Sequence, residues 1–381
     1  MVDFVFNAVA SLQWYDWVLL GVFGFLYFLK MIYLFLFTGR VLCQKNSNHT
    51  EQIPVSFLLT YRNEEENLNK NLPGILSSLT PYSEVVAVDD FSQDNSLSVL
   101  GVLRKKYSNL IVSALNQETR YSEKMAQNIA LKAASNDWVM VNHPVLNEIS
   151  PNCISSNLNN EKAVVVNYSN AKRQRGFYQL LYRNERFFQQ IKSFGFILNR
   201  LPYLSFEENV AFKKEKYFEA GGFGQHVNEH FANLELVIND FIRKKKTAIN
   251  FCSDTAIKKE MNVSKADFFE LLKKELRIRE KLSWSKRYVL YWEKILTILF
   301  YPATIFAVLN FIKLWPVFTG LILIYIIAFA FIIKISLNRL NERKLFLSSL
   351  GYAFFIPVLK AGYQGYYQFK NRRRQKWKNK N

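Results

Sequence analysis

Cysteine is scarce in this 381-residue chain, which holds three, at positions 43, 153 and 252. Their spacing fits no metal-binding pattern and offers no framework of disulfides, which excludes a disulfide-stapled secreted domain and predicts a reducing, cytosolic environment. The first 16 residues contain neither lysine nor arginine. Because a cleavable signal peptide begins with positive charge, we expect these residues to remain as a short extracytoplasmic N-terminus.

Acidic residues are also under-represented, with 31 Asp and Glu against 50 Lys and Arg, so the formal net charge is +19. An excess of this kind is typical of proteins that bind either nucleic acid or anionic lipid head groups. Half of the residues are hydrophobic and 16% are aromatic, and no aromatic RNA-binding motif is present. The composition therefore favours anionic membrane lipids as partners and predicts no nucleic-acid partner.

Long apolar segments lie at both ends of the chain. Residues 17–37 are apolar except for Lys30 and are long enough to cross about 30 Å of hydrocarbon as a helix, with Lys30 snorkelling to the surface. Arg40 and Lys45 follow this segment, which predicts an outside N-terminus and a cytoplasmic continuation. Further segments are predicted in the C-terminal part: an amphipathic interfacial helix over 265–292, a transmembrane hairpin over 295–333, a re-entrant or interfacial segment over 345–369, and a basic cytoplasmic tail over 370–381.

Strand and helix patterns alternate between residues 53 and 264, which predicts an α/β domain with a mostly parallel sheet. Three predicted strands end in polar residues, at 60–63, at Asp89-Asp90 and at 142–144. Ligands of open α/β sheets bind beyond the carboxyl ends of such strands, so these residues should line one crevice. Asn63 is expected to cap a helix that begins at Glu64, with Glu66 completing a capping box.

Four segments of this region, in this order, carry a resemblance to a known family: VSFLLTYRNEEENL (55–68), VVAVDDFS (85–92), KMAQNIALKAA (124–134) and ENVAFKKEKYFEAGGF (208–223). With membrane segments on both sides, the chain resembles the membrane-anchored bacterial glycosyltransferases of family 2. The resemblance implies a GT-A fold, which is a Rossmann-like, mostly parallel sheet. It also implies an inner-membrane protein whose cytoplasmic domain transfers sugar from a UDP- or GDP-linked donor to a lipid-linked or polysaccharide acceptor.

The resemblance also implies a nucleotide site. The residues matching Thr60, Arg62 and Glu64 edge the nucleotide pocket, those matching Asp89 and Asp90 meet the base or ribose, and Lys124 lies near the diphosphate. A carboxylate accepts hydrogen bonds from base N–H groups or ribose hydroxyls, and a cation assists the diphosphate. The alternative is structural: Arg62 and Glu64 solvate a helix start, and the two aspartates form a turn.

The resemblance further implies Mg²⁺ or Mn²⁺ held by an Asp-x-Asp pair, yet Asn142 and Pro144 occupy those positions. An amide oxygen is a weak ligand for a hard divalent ion and proline offers none, so His143 and Glu148 are the alternative ligands within reach. No metal cofactor is therefore predicted with its family ligands in place. The Gln/Arg-x-x-Arg-Trp segment of the family is represented by residues 277–281 (RIREK), which place Glu280 where arginine is expected.

The position of the catalytic base falls on Asn233, and an amide cannot accept the proton. Glu229, His230 and Glu235 are the alternative bases, and His226 and His230 have the i,i+4 spacing of two helical metal ligands. Two interpretations stay open: a glycosyltransferase without the standard metal-dependent site, or a catalytically inactive GT-A pseudoenzyme that acts as a binding or scaffold partner at the membrane.

Overall fold

The computed structural model describes residues 12–44, 53–118, 120–143 and 162–378. The described residues divide into two compact units. One consists of the apolar helices near both ends of the chain. The other runs from Gln44 to Leu282 and includes Arg339–Asn341, so it extends past residue 264, where the sequence places the end of the α/β domain.

A seven-stranded mixed sheet forms the centre of the second unit, in the order β3-β2-β1-β4-β7-β5-β8. In this order, β3, β2, β1 and β4 run parallel to one another. β7 is antiparallel to both β4 and β5, and β5 is parallel to β8. This confirms the predicted α/β fold with a mostly parallel sheet. The strands are β1 (Val55–Tyr61), β2 (Glu84–Asp89), β3 (Leu110–Ala114), β4 (Trp138–Asn142), β5 (Val164–Asn167), β7 (Val210–Lys213) and β8 (Thr247–Asn250), while β6 (Ser169–Ala171) and β9 (Ile257–Lys259) pair separately.

Strand β1 is central because nearly all of its residues are apolar and buried. It pairs in parallel with β2 and with β4, and the register places Tyr61 opposite Asp89 and Leu59 opposite Asn142. The carboxyl ends of these three strands therefore meet at one edge of the sheet.

The helices that cover the sheet are 8 to 22 residues long, apart from one shorter helix. In α2, Leu68, Leu72 and Ile75 repeat at helical spacing and belong to the same buried apolar cluster as β1. The helices of this unit are α2 (Glu65–Ser78), α3 (Ser96–Lys106), α4 (Ser122–Ala133), α5 (Phe177–Leu198), α6 (Lys214–Glu219), α7 (Leu234–Phe241) and α8 (Lys265–Lys281).

The start of α2 differs from the predicted capping box. Asn63 has a φ of 55°, a left-handed conformation that asparagine tolerates, and the helix begins at Glu65. Its first amides are satisfied from another part of the chain: Ser96 Oγ accepts from the Glu64 N–H at 2.9 Å and Asp94 Oδ2 accepts from the Glu65 N–H at 3.1 Å. Caps from the first residue of α3 and from the loop before it thus replace the local cap that the sequence predicts.

The segment predicted as one interfacial helix over 265–292 is two helices. Ser264 caps α8 in a capping box with Asp267, and α8 ends at Lys281. A new helix, α9 (Trp284–Asn310), begins after Leu282-Ser283, where the backbone is extended. Helix α8 buries Phe268 and Leu271, and Gln189 of α5 donates to its Glu275 at 3.1 Å, so this helix belongs to the α/β unit.

Within the described ranges, four helical segments are long and apolar enough to cross a membrane: Trp14–Cys43, Trp284–Asn310, Trp315–Arg339 and Arg343–Phe369. They correspond to α1 (Trp14–Tyr33) with the π and 3₁₀ turns that follow it, to α9, to α10 (Trp315–Arg339) and to α11 (Phe346–Lys378). The last segment is one continuous helix. Pro357 lies within it because a helix tolerates the loss of a single N–H donor when apolar surroundings favour helix overall.

Lys30 does not snorkel as predicted. Its side chain is buried within the helical unit, where Nζ donates to Thr297 Oγ1 of α9 at 3.1 Å and lies 5.2 Å from the centre of the Phe300 ring. A hydrogen bond and a cation–π contact stabilise the ammonium there.

Candidate functional site

The ends of β1 and β2 are joined by a backbone hydrogen bond, from the Asp90 N–H to the Tyr61 carbonyl at 2.8 Å. The Asp89 carboxylate turns back into its own loop, accepting from the Ser92 N–H at 3.2 Å and from the Ser92 hydroxyl. Asp89 therefore closes the turn, as the structural alternative predicts, whereas Asp90 is the second buried carboxylate at this edge.

The other predicted nucleotide residues of β1 lie beside this turn. Thr60 is half-buried at the strand end, and Glu64 accepts from Asn67 Nδ2 at 2.6 Å. The exposed Arg62 guanidinium forms an ion pair with Glu118 at 2.7 Å. The structure thus brings Thr60, Arg62 and Glu64 together with the two aspartates.

Lys124, predicted near the diphosphate, is engaged elsewhere. Its buried ammonium donates to the backbone carbonyls of His226 at 2.6 Å, Glu229 at 2.8 Å and Val227 at 3.5 Å. Burial lowers the pKa of this lysine, with nearby carboxylates opposing the shift. An ammonium has three donors, so in this structure Lys124 positions the loop that leads to α7.

The Asp-x-Asp position at the end of β4 begins with Asn142, which is buried. Its Oδ1 accepts from the His143 N–H at 2.9 Å, and its Nδ2 has no hydrogen-bond partner among the described residues. Burial, and then the charge of Lys259, lower the pKa of His143 to about 4, so its ring is neutral at neutral pH. Pro144 and Glu148 lie outside the described residues.

A small cavity opens at this strand end, and its polar lining comes largely from distant parts of the chain. Asn142 and His143 share it with Glu208 and with Lys259 of β9. Glu208 accepts from Arg186 of α5 at 2.6 Å and lies 3.6 Å from the Lys259 ammonium. Burial opposes ionisation of Glu208, but these two cations outweigh it and lower the pKa of the carboxyl.

Arg186 is itself held rigidly. It is almost fully buried, donates to Ser169 Oγ at 2.8 Å, and stacks 3.6 Å above the centre of the Phe206 ring. The carboxylate at this cavity is therefore already neutralised by a fixed guanidinium.

This donor set does not fit Mg²⁺ or Mn²⁺. Those ions require several anionic or carbonyl oxygens, whereas the polar lining of the cavity consists of asparagine amides, a serine hydroxyl, the neutral His143 ring, the Lys259 ammonium and one carboxylate that is paired with Arg186. Among the described residues, no group of three or more His, Cys, Asp and Glu side chains could hold a metal ion.

The base position lies at the start of α7 and is surrounded by glutamates. The Asn233 N–H donates to Glu235 Oε2 at 3.1 Å, and Asn233 Nδ2 lies 3.5 Å from Glu207 Oε1. Glu207 Oε2 also accepts from the Leu234 N–H at 2.8 Å. Burial, and then the charge of Glu235, raise the pKa of Glu207 well above its ordinary value. The fully buried Glu235 is paired with Lys274 of α8.

The other alternative bases are engaged in separate contacts. Glu229 pairs with Lys281, and this hydrogen bond lowers the pKa of the carboxyl. The His230 ring stacks near Tyr121 with 6.4 Å between ring centres, while His226 Nε2 lies 2.6 Å from Asp240 Oδ2. The i,i+4 spacing of the two histidines belongs to loop rather than helix, since α7 begins later.

Sequence reasoning missed the residues that dominate both clusters: Arg186, Glu207, Lys259 and Lys274. The Glu207-Glu208 doublet at the start of the fourth motif was an available signal. The cations lie on α5, β9 and α8, where nothing local in the sequence distinguishes them from surface lysines and arginines. In the RIREK segment, the Arg277 guanidinium lies 4.9 Å from the centre of the Phe231 ring.

The sheet order and the crevice at the ends of β1, β2 and β4 define a GT-A-like α/β domain. Residues 56–143 match the family model described as Glycosyl transferase family 2. The segment from β1 to the end of β4 is therefore similar to the domain of family 2 glycosyltransferases.

Two comparisons extend this result. Over 102 residues, which are 27% of this chain and 24% of the relative, the chain is 30% identical to a poly-β-1,6-N-acetyl-D-glucosamine synthase of Staphylococcus epidermidis. The match thus spans about a quarter of that relative's length. Among solved structures, a mannosyltransferase from Pyrobaculum calidifontis in complex with GDP-Man and Mn²⁺ shares the fold, with a TM-score of 0.51 at 15% identity, covering 89% of this chain and 98% of that one.

Proposed function

We propose that this protein is a membrane-bound glycosyltransferase that moves a sugar from a UDP- or GDP-linked donor to a lipid-linked or polysaccharide acceptor. The observation that carries the proposal is the coincidence of the family match with the site. The matched residues run from β1 to the end of β4, and they contain the three strand ends that meet at one edge. A polysaccharide synthase among the relatives and GDP-Man in the mannosyltransferase complex support this substrate class.

We place the protein in the inner membrane of a bacterium, with the α/β unit on the cytoplasmic side. Lysine and arginine follow α1 and α10, and cytoplasmic flanks are enriched in these residues. Basic residues occur at both ends of α11, which favours a position along the cytoplasmic surface, where anionic lipids attract them.

The chemistry requires a base. The acceptor hydroxyl oxygen attacks the anomeric carbon, the bond from that carbon to the diphosphate breaks with its electron pair leaving on the nucleotide, and the hydroxyl proton passes to the base. We assign this role to Glu207. Its carboxylate lies next to Asn233, where the family resemblance places the base, and burial raises its pKa above the ordinary value, which makes the ionised carboxylate a stronger proton acceptor.

A second function is favoured by the two amides. Asn142 stands at a metal-ligand position and Asn233 at the base position, as expected of a pseudoenzyme that binds a nucleotide sugar and acts as a scaffold. Removing a general base typically costs about 10²–10⁴ in rate.

Calorimetry and product analysis on the purified full-length protein separate the two. UDP-GlcNAc and GDP-Man are titrated with Mn²⁺ or with excess EDTA, and release of nucleotide and elongation of acceptor are followed by mass spectrometry. Binding with turnover supports the transferase. Binding without turnover supports the scaffold, and absence of binding of either donor contradicts both.

A further inference from the structure

The cavity at the end of β4 has the charge of an anion site. Two cations, Lys259 and Arg186, stand against the single carboxylate of Glu208. Arg186 pairs with that carboxylate at 2.6 Å and Lys259 lies 3.6 Å from it, so the three groups together carry a net charge of +1. A divalent cation entering here would be repelled by Lys259, whereas an anion would be attracted.

Hydrogen-bond donors face the same cavity. Asn142 is 7% exposed, lines the cavity, and its Nδ2 lacks a partner within the part of the chain that the structure describes. A buried amide N–H without an acceptor costs free energy, which an oxygen-rich ligand would recover. An aspartate at this position would present only acceptors, which bind cations. Asn142 instead presents an N–H donor, which can bind an anion.

Lys259 has freedom to reach an anion. Its Nζ lies 3.6 Å from Glu208 Oε1, beyond hydrogen-bond distance, and its side chain is 18% exposed. Because Arg186 alone hydrogen-bonds to Glu208, Lys259 can move toward a ligand without leaving that carboxylate unpaired.

We infer that this cavity, which has room for about one water-sized group, receives one oxygen of the nucleotide's diphosphate directly, with Lys259 in the place of the divalent cation and Asn142 donating to that oxygen. Charge-assisted hydrogen bonds from an ammonium to phosphate oxygens are strong enough for this role. The identity of the anion rests on the proposed function, while the preference for an anion over a cation rests on the residues of the cavity.

The test measures binding of inorganic pyrophosphate and of UDP to the full-length protein by calorimetry in excess EDTA. We expect both to bind without metal, and Lys259→Gln, which removes the positive charge but keeps a polar side chain, to weaken binding by about tenfold to a hundredfold. The matched control is Lys258→Gln, because Lys258 precedes it in the same strand and donates instead to the Asn341 carbonyl; its affinity should stay unchanged. Asn142→Asp should weaken metal-free binding and make Mn²⁺ restore part of it.

Two outcomes overturn the inference: binding of pyrophosphate and UDP only in the presence of Mn²⁺, or equal affinities for Lys259→Gln and Lys258→Gln. Thermal melting of each variant checks that it is folded. Sugar transfer is measured separately, so Mn²⁺-dependent transfer would leave the proposed function standing while the inference fails. Metal-free UDP binding that depends on Lys259, without sugar transfer, would support the inference while the proposed transferase function fails.

Discussion

The two sides of the crevice are built in different ways. On the side formed by the ends of β1 and β2, the polar residues are neighbours in sequence, and several are held by contacts within the same turns, such as Asp89 with Ser92. On the side formed by the end of β4 and the start of α7, the two residues at family positions are amides. There the positively charged side chains belong to α5, β9 and α8, which are distant in sequence.

Two arginine–glutamate pairs show what this difference means physically. Arg62–Glu118 and Arg186–Glu208 have nearly the same length, 2.7 and 2.6 Å. The Arg62 side chain is 38% exposed and that of Arg186 is 5% exposed. Solvent screens the first pair, whereas the second lies where an unpaired charge is costly. The long-range side of the crevice therefore contributes to folding as well as to ligand chemistry.

The largest expected effect tests whether the long-range side performs chemistry. Glu207→Gln keeps the shape of the side chain but removes the proton acceptor, so turnover should fall by about 10²–10⁴-fold. Donor affinity should be unchanged. The measurement is the single-turnover rate of nucleotide release together with donor binding by calorimetry.

The control for that variant is Glu229→Gln, since Glu229 is a carboxylate of the same region whose pKa is lowered by its hydrogen bond from Lys281. It should retain most of the turnover. If Glu229→Gln were the more damaging change, or if Glu207→Gln turned over normally, Glu207 would not be the base.

Next in size is the loss of the buried arginine. Arg186→Ala leaves Glu208 without its partner in a partly buried site, and the free energy of unfolding should fall by about 3 kcal/mol. Arg62→Ala, at the exposed pair, should change it by less than about 1 kcal/mol. Chemical denaturation of both variants measures the difference. Equal losses would show that burial does not distinguish the two sides.

The same contrast explains how much the sequence could predict. Periodicity and strand-end polarity predicted the sheet, the buried strand β4 and the crevice, because these depend on residues close in sequence. The Glu207–Asn233 contact joins residues 26 positions apart, and Arg186–Glu208 joins residues 22 apart. Such pairings follow from how α5, α7 and α8 pack, which no local pattern encodes.

Local rules also failed where a longer-range partner competed with them. Ser96 and Asp94 accept from the first amides of α2 in place of the predicted capping box at Asn63. Thr297 and the Phe300 ring contact the Lys30 ammonium, which was predicted to snorkel. In both cases the local pattern identified the group that needed a partner but not the group that supplied it.

The short-range side has its own internal comparison. Asp89 is engaged with Ser92, so Asp89→Asn should lower the free energy of unfolding by about 1 kcal/mol with little change in nucleotide affinity. Asp90→Asn should instead weaken UDP binding by about tenfold. Calorimetry and thermal melting of the two variants separate the effects, and the reverse pattern would assign nucleotide binding to Asp89.

The smallest expected effect is on the pH dependence of stability, to which the neighbouring Glu207 and Glu208 should contribute with opposite signs. Burial and Glu235 raise the pKa of Glu207, so above its unfolded pKa, about 4.3, the folded chain binds more protons than the unfolded chain. Its contribution to stability is therefore lost as pH rises through the folded pKa. Glu208 has the opposite sign: burial opposes its ionisation, but Arg186 and Lys259 lower its pKa, and its contribution is lost as pH falls through the folded value.

Denaturation curves measured across the pH range test this division. Glu207→Gln should remove the decline of stability that occurs as pH rises through the folded pKa of Glu207. Glu208→Gln should leave that decline in place and remove the decline on the acid side. If both variants changed the same limb of the curve, the two carboxyls would share one environment. Glu207 would then lack the raised pKa that distinguishes it from Glu208. That result would also count against the role of Glu207 in proton transfer.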